Sequence, residues 1–308
     1  MGVFKIDETD MELIQALWKN SRTSFNQLGK DLEISGNILK QRSEDLEKAG
    51  VFQYQTNPYF SKFGWGGVAF IVDIPKKYRD HYIEKLSKFQ ELYEIIFSLE
   101  ERCAIIAILP FNSKEGVTES TINVFINKLQ TEIADITIHE HYKLYYRFQE
   151  KELELKEAEI KLIRVLREDS RSDLNCLSNR IGLSKKTLSR YLSRFMEEKL
   201  IRHTITLQPN KIRNFVIHFL IIKFENDKIL RKKIEQIKER IKRYLAYYIL
   251  VDPPGVAFFV YSENLHEMER LLKELYMLSS IDEVQIVFPS SIIRFQEWKD
   301  LVVPLDHK

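Results

Sequence analysis

The 308-residue chain is 44% hydrophobic and 30% charged, with 10 Gly and 8 Pro, which excludes a disordered or collagen-like chain. At roughly 150 residues per domain the length suits two domains, each with its own core. The net charge of +2 hides an asymmetry, because residues 1–150 hold 18 Lys and Arg against 22 Asp and Glu while residues 151–308 hold 29 against 23. A polyanion would therefore meet the second half more strongly than the first. No apolar run nears the ~18 residues of a membrane helix, since even Phe215–Phe224 is broken by His218 and Lys223, so no membrane partner is expected. Asp7, Glu8 and Asp10 stand where a signal peptide needs a basic end and an apolar core, which makes the cytoplasm the expected location. Cys103 and Cys176 are too few for a disulfide framework or a four-ligand zinc site.

Sliding the sequence against itself by 149 positions aligns Leu13, Ile14 and Leu17 with Leu162, Ile163 and Leu166 without a gap. Ser21-Arg22-Thr23 then meets Ser170-Arg171-Ser172, and Leu28, Ser35 and Leu39 meet Leu177, Ser184 and Leu188. The chain is a tandem duplication, which sets its architecture before any other signal.

Each copy opens with about 45 residues that read as three helices. In the first copy Met11, Ile14, Leu17 and Trp18 recur at helical spacing behind an acidic first turn. Thr23 then stands as a cap before a short helix with Phe25 and Leu28, and Ser35 before a third helix reaching Gly50. The second copy repeats the scheme, with Ser172 and Ser184 as the caps. A short helix, a tight turn and a longer capped helix form helix-turn-helix grammar.

A strand that reads as a wing follows each third helix, at Gln53–Phe60 and Arg202–Pro209. Then come an apolar strand, a helix, two strands, a helix and a last strand, ending near Phe148 in one copy and Phe288 in the other. This βαββαβ order is ferredoxin-like. The expected class is α+β, with winged helix-turn-helix units at 1–57 and 151–207 and ferredoxin-like units at 58–150 and 208–308.

The run IDETDMELIQAL…SRTSFNQLGKDLEIS…LEKAGVF, followed by βαββαβ, resembles the leucine-responsive regulatory protein/AsnC family, and EAEIKLIRVLREDSRSDLNCLSNRIGLSKKTLSRYLSRFMEEKLI resembles it more closely still. The likeness covers almost the whole chain twice. It implies a transcription regulator that binds double-stranded DNA, pairing two units within one chain, with a further homodimer open. In the family a Gly and an Asp between the middle strands help to shape an effector site. Here the corresponding turns read Leu99-Glu-Glu-Arg-Cys103 and Asp252-Pro-Pro-Gly255, so poor binding of free amino acids is expected and the existence of an effector is left open.

Candidate DNA contacts lie on the third helices. In the second copy Leu188, Leu192 and Phe195 form a core stripe, and the opposite face offers Lys185, Lys186, Thr187, Ser189, Arg190 and Arg194. Long cations suit phosphates and guanine edges, and short hydroxyls suit close approach in the major groove. The first copy presents Asn37, Lys40, Gln41 and Arg42, but Glu44, Asp45 and Glu47 follow, which makes it the weaker reader or a degenerate unit. Arg22 and Arg171 could contact phosphate or tie the helices together. The cations from Lys228 to Arg243 read as a solvated helix face, and His139 and His141, beside Lys143 and Arg147, make a poor metal site.

No nucleophile triad, carboxylate pair, Walker loop or G-x-G-x-x-G appears, and neither enzyme activity nor a cofactor is expected. Two rival readings stay open. Siroheme decarboxylases pair two units of the same design, with histidine-bearing stretches in their middle strands, whereas YEIIFSLEERCAIIAILP and YLAYYILVDPPGVAFFVYS carry no histidine. The other rival is an architectural DNA binder with little sequence preference.

Overall fold

The computed structural model describes residues 3–111, 116–144, 155–278 and 280–296. After a two-residue strand β1 (Phe4–Lys5), α1 (Glu8–Lys19) starts in a capping box, the Asp7 and Asp10 carboxylates each accepting the other's backbone N–H. Helices α2 (Phe25–Asp31) and α3 (Gly36–Lys48) complete the first head. Gly29 permits their close crossing, since a Cβ there would lie 2.5 Å from the Ile34 carbonyl oxygen. The cap of α2 is Ser24 rather than Thr23, its hydroxyl accepting from the Gln27 N–H, and Ser35 stands at the cap position of α3 without a side-chain bond.

The first copy continues with β2 (Phe52–Pro58), β3 (Trp65–Asp73), α4 (Arg79–Leu86), β4 (Leu92–Ser98), β5 (Arg102–Pro110), α5 (Glu119–Glu132) and β6 (Thr137–Leu144). The second copy runs through α6 (Glu157–Glu168), α7 (Leu174–Ile181), α8 (Lys185–Glu197), β7 (Ile201–Leu207), β8 (Ile212–Arg213), β9 (Val216–Phe224), α9 (Asp227–Ile241), β10 (Tyr244–Asp252), β11 (Pro254–Ser262), α10 (Leu265–Tyr276), β12 (Ile281–Val287) and β13 (Pro289–Arg294). Asp173, not Ser172, caps α7 by accepting from the Asn175 and Cys176 N–H groups, because the Ser172 hydroxyl donates to Asp169 instead.

The strands order as β6-β3-β5-β4 and β12-β9-β11-β10, each the ferredoxin-like arrangement, and β10 meets β6 to make one nine-stranded sheet. Strand β13, beyond the Phe288 at which the expected order ends, pairs with the opposite edge strand β4. Only Phe288 separates β12 from β13, so the two ends of the strand order lie side by side and the sheet curls round on itself. Helices cover one face of each half, Phe70, Leu86, Phe125 and Leu129 packing in the first and Leu220, Leu230, Ile237, Phe258 and Leu275 in the second. On the opposite faces Ile71 and Tyr142 of the first half meet Ile221 and Leu250 of the second.

Strand β6 departs from simple alternation. A register shift against β3 between Ile71 and Val72 turns Ile138 towards the helix layer while Tyr142 and Leu144 face the other half. Tyr146 and Phe148 lie outside the described residues.

The expected wings do not form hairpins of their own. Strand β2 pairs antiparallel with β7 from Phe52↔Leu207 to Pro58↔Ile201, so a two-stranded ribbon joins the two copies. Each head also shares its core with the other copy. Met11, Ile14, Leu17 and Trp18 of α1 pack with Ile205, Leu245, Phe259 and Tyr261, whereas Ile163, Leu166, Leu177 and Phe195 pack in a cluster with Ile108 and the partly buried Trp65 and Tyr93. The heads are exchanged.

His203 lies buried in the ribbon, its Nδ1 2.9 Å from Thr56 Oγ1. That hydroxyl donates to Ser170, so it accepts the Nδ1 proton of a neutral imidazole. Burial, and then the nearby Arg22 charge, push His203 down to about 3. The unfolded histidine titrates near 6.5, so between these values the unfolded chain binds more protons and stability falls on acidification. At pH 5 the loss should be about 2 kcal/mol relative to pH 7 from this residue. Buried His218, pushed down to about 4, adds a similar loss, so urea unfolding at the two pH values should show both and His203→Gln should remove about half of the pH dependence; an unchanged dependence in the variant would contradict the assignment.

Candidate nucleic-acid interface

Helix α8 follows α7 across a turn in which Gly182 takes φ +79° and Ser184 caps the new helix by accepting from the Thr187 N–H. Leu188 and Phe195 are fully buried and Leu192 partly, which fixes the helix face turned to the core. Lys185, Lys186, Ser189 and Arg190 are exposed on the other side, and none of the three cations joins an ion pair among the described residues. Thr187 is committed to the turn, its hydroxyl 3.0 Å from that of Ser184.

Arg194, a candidate DNA contact, braces the head. Its Nη1 lies 2.6 Å from the carboxylate of the fully buried Glu159 in α6, and its Nε 3.1 Å from Glu198. Without Arg194 the Glu159 charge would be buried beside an empty place. The first copy uses the same device from a different position, Arg42 reaching Asp10 at 2.8 Å and Asp7 at 2.9 Å. The guanidinium of Arg42, likewise a candidate contact, ties α3 to the start of α1.

What remains outward on α3 is Asn37, Lys40 and Gln41, all exposed. Lys40 lies 3.9 Å from Glu44, and the Gln41 amide donates to Asp45 at 3.0 Å. Among its outward candidate contacts the first head thus offers one cation partly compensated by its own helix, where the second offers three.

Arg22 and Arg171 join the heads. Arg22 donates to the Ser170 and Ser172 carbonyls at 2.7 and 2.9 Å, and Arg171 returns a bond to the Ser21 carbonyl at 2.6 Å. Arg171 also lies 4.6 Å from the Phe25 ring centroid and 5.0 Å from that of Tyr54. Burial, and then its like-charged partner Arg171, lower the Arg22 pKa. With the β2–β7 ribbon, this reciprocal pair fixes one head against the other.

The remaining charge clusters are satisfied only in part, since Lys228, Lys232 and Lys233 on α9 join no ion pair among the described residues. On α9 Arg231 pairs with Asp227 and Lys238 with Glu235. His139 lies 2.7 Å from Asp73 and His141 3.6 Å from Glu119, so carboxylates from neighbouring elements do reach these histidines, which the sequence of the strand alone did not indicate. No group of three His, Cys, Asp or Glu placed to hold a metal occurs among the described residues, and no described helix is long and apolar enough to cross a membrane.

A cavity of about 200 Å³ that sequence patterns did not single out lies between the two sheet halves and the ribbon. Its wall includes Trp18, Tyr93, Glu94, Arg202, Tyr248 and Arg294 among apolar neighbours. These residues come from α1, β4, β7, β10 and β13, so no single stretch of sequence signals the site.

Residues 6–53 and 155–202 each match the winged helix-turn-helix DNA-binding family. The chain is 32% identical over 97 residues to the HTH-type transcriptional regulator LrpA of Pyrococcus horikoshii, covering 30% of this chain and 67% of that protein. It is 23% identical over 131 residues to the HTH-type transcriptional regulator LysM of Saccharolobus solfataricus, covering 42% of this chain and 88% of the relative. Among solved structures, siroheme decarboxylase NirDL in complex with an iron-uroporphyrin III analogue superposes with a TM-score of 0.57 over 97% of this chain and 100% of that one, at 12% identity. That last likeness is one of fold. The repeated head, the ferredoxin-like strand order and the sequence relatives together place the chain in the leucine-responsive/AsnC family of helix-turn-helix regulators, with the family's unit present twice.

Proposed function

We propose that the chain is a sequence-specific transcription regulator that reads double-stranded DNA chiefly through α8, with α3 as the weaker head. The carrying observation is the contrast between the two helices, three exposed cations outside any ion pair on α8 against a self-compensated surface on α3. Lys185 and Lys186 serve phosphates, Arg190 a base edge, and Ser189 and Asn37 close polar contacts. The ribbon, the exchanged cores and the Arg22–Arg171 pair support a reading in which one polypeptide takes the place of a homodimer, its four units bounded near residues 57, 150 and 207.

Two unlike heads should select an imperfect palindrome with one dominant half-site. Selection from random duplexes tests this. A symmetric consensus would contradict the ranking of the heads, and the absence of any consensus would favour an architectural binder.

The whole-length likeness to a siroheme decarboxylase gives an enzyme reading its one support. Against it, β4, β5, β10 and β11 carry no histidine, and a cavity of about 200 Å³ is smaller than the roughly 300–1,000 Å³ of pockets for drug-sized ligands, let alone a tetrapyrrole. A shift of the Soret band on adding siroheme would favour the enzyme.

A further inference from the structure

The cavity between the sheet halves combines a mostly apolar wall with an unbalanced charge. Ala69, Ile71, Ile106 and Phe219 line it together with Arg202, Arg294 and a single buried carboxylate, Glu94. Arg294 is committed to that carboxylate through Nε and to Thr206 through Nη1. Arg202 has no such partner. Its Nη2 donates to the Trp18 carbonyl at 3.1 Å, and no carboxylate pairs with it among the described residues. The indole N–H of Trp18, a residue only 4% exposed, is buried without a hydrogen-bond acceptor. A buried donor without an acceptor is costly, and Trp18 and the half-buried Arg202 both line the cavity, so one anionic oxygen pair would satisfy the indole N–H and meet the cation.

We propose that this cavity binds a small apolar or aromatic monocarboxylate, whose carboxylate meets Arg202 and the Trp18 N–H. Size sets the limit, since a cavity of about 150 Å³ accommodates benzene, and about 200 Å³ suits a molecule of about ten non-hydrogen atoms. A free amino acid fits poorly because its ammonium would enter among the guanidinium groups of Arg102, Arg202 and Arg294. The occupant would touch α1 of the first head and β7 of the ribbon as well as both sheet halves. A ligand with different affinity for the geometries that the heads adopt on and off DNA must shift DNA affinity, and this last step rests on the DNA-binding reading above.

Calorimetric titration of the full chain with 3-phenylpropionate, without DNA, tests the site itself. The expected result is one molecule per chain, with 3-phenylpropionamide bound at least tenfold more weakly. Arg202→Gln should weaken the acid at least tenfold and leave the amide unchanged, and Ala257→Leu, which fills the apolar wall, should weaken both. Equal affinity for acid and amide on the unaltered protein, or no binding of the acid, would overturn the proposal even if a variant failed to fold. Fluorescence anisotropy with a selected duplex then separates the two readings. DNA binding in the absence of the acid tests the regulator reading, and an unchanged DNA affinity at saturating acid would overturn the coupling.

Discussion

Replacing Lys185, Lys186 and Arg190 together by alanine should lower affinity for a selected duplex by about two to three orders of magnitude at low salt. Each lost phosphate contact removes about one unit of the salt slope, and an arginine that reads a base edge contributes about 1–3 kcal/mol. The three side chains are exposed and outside any ion pair, so their removal should change stability by no more than about 0.5 kcal/mol each. Anisotropy titrations across a salt series, with a urea curve for each variant, separate the two effects. Lys40→Ala combined with Gln41→Ala should lose far less, because Glu44 and Asp45 already engage these side chains. Equal losses from the two heads would contradict the assignment.

Arg294→Met should destabilise the chain by about 3–5 kcal/mol, the usual result of leaving a buried charge unpaired. The two side chains of the Arg294–Glu94 pair are 8% and 7% exposed, and Arg294 also bonds Thr206 at 2.9 Å, so strand β13, the edge strand β4 and the ribbon meet at one guanidinium. Removing both charges, as Arg294→Met with Glu94→Leu, should recover most of the loss, since a well-packed apolar pair avoids the desolvation of two ions. The urea midpoints of the single and double variants check this. A double variant less stable than the single would show that the pair contributes more than its own neutralisation.

The repeat, the head helices and both βαββαβ orders were legible because they are local patterns. Helical spacing of Met11, Ile14, Leu17 and Trp18 marks a core stripe wherever that stripe packs, and it gave no warning that this core is shared with the other copy. Strand β13 was missed since its pairing with β4 spans almost 200 residues and leaves no periodic trace in six positions. Capping was misplaced by one residue at Thr23 and Ser172, where Ser24 and Asp173 offered equally good oxygens. The candidate contacts sorted by what tertiary structure did to each cation. Exposure spared Lys185, Lys186 and Arg190, while Asp7, Asp10 and Glu159 engaged Arg42 and Arg194, and backbone carbonyls of the opposite head engaged Arg22 and Arg171. A sequence shows a basic residue on a helix face, but not the carboxylate that another element brings to it.

Cys176 gives direct access to the position of the second head. It is exposed on α7, whereas Cys103 is buried and burial pushes its thiol up to about 11, so an iron–EDTA cleavage reagent coupled at neutral pH labels the head alone. On a selected duplex, cleavage should cluster beside the dominant half-site and leave the other half-site intact. Equal cleavage beside both half-sites would mean that two copies of the second head bind, and would contradict the claim that one chain presents two unlike heads to DNA.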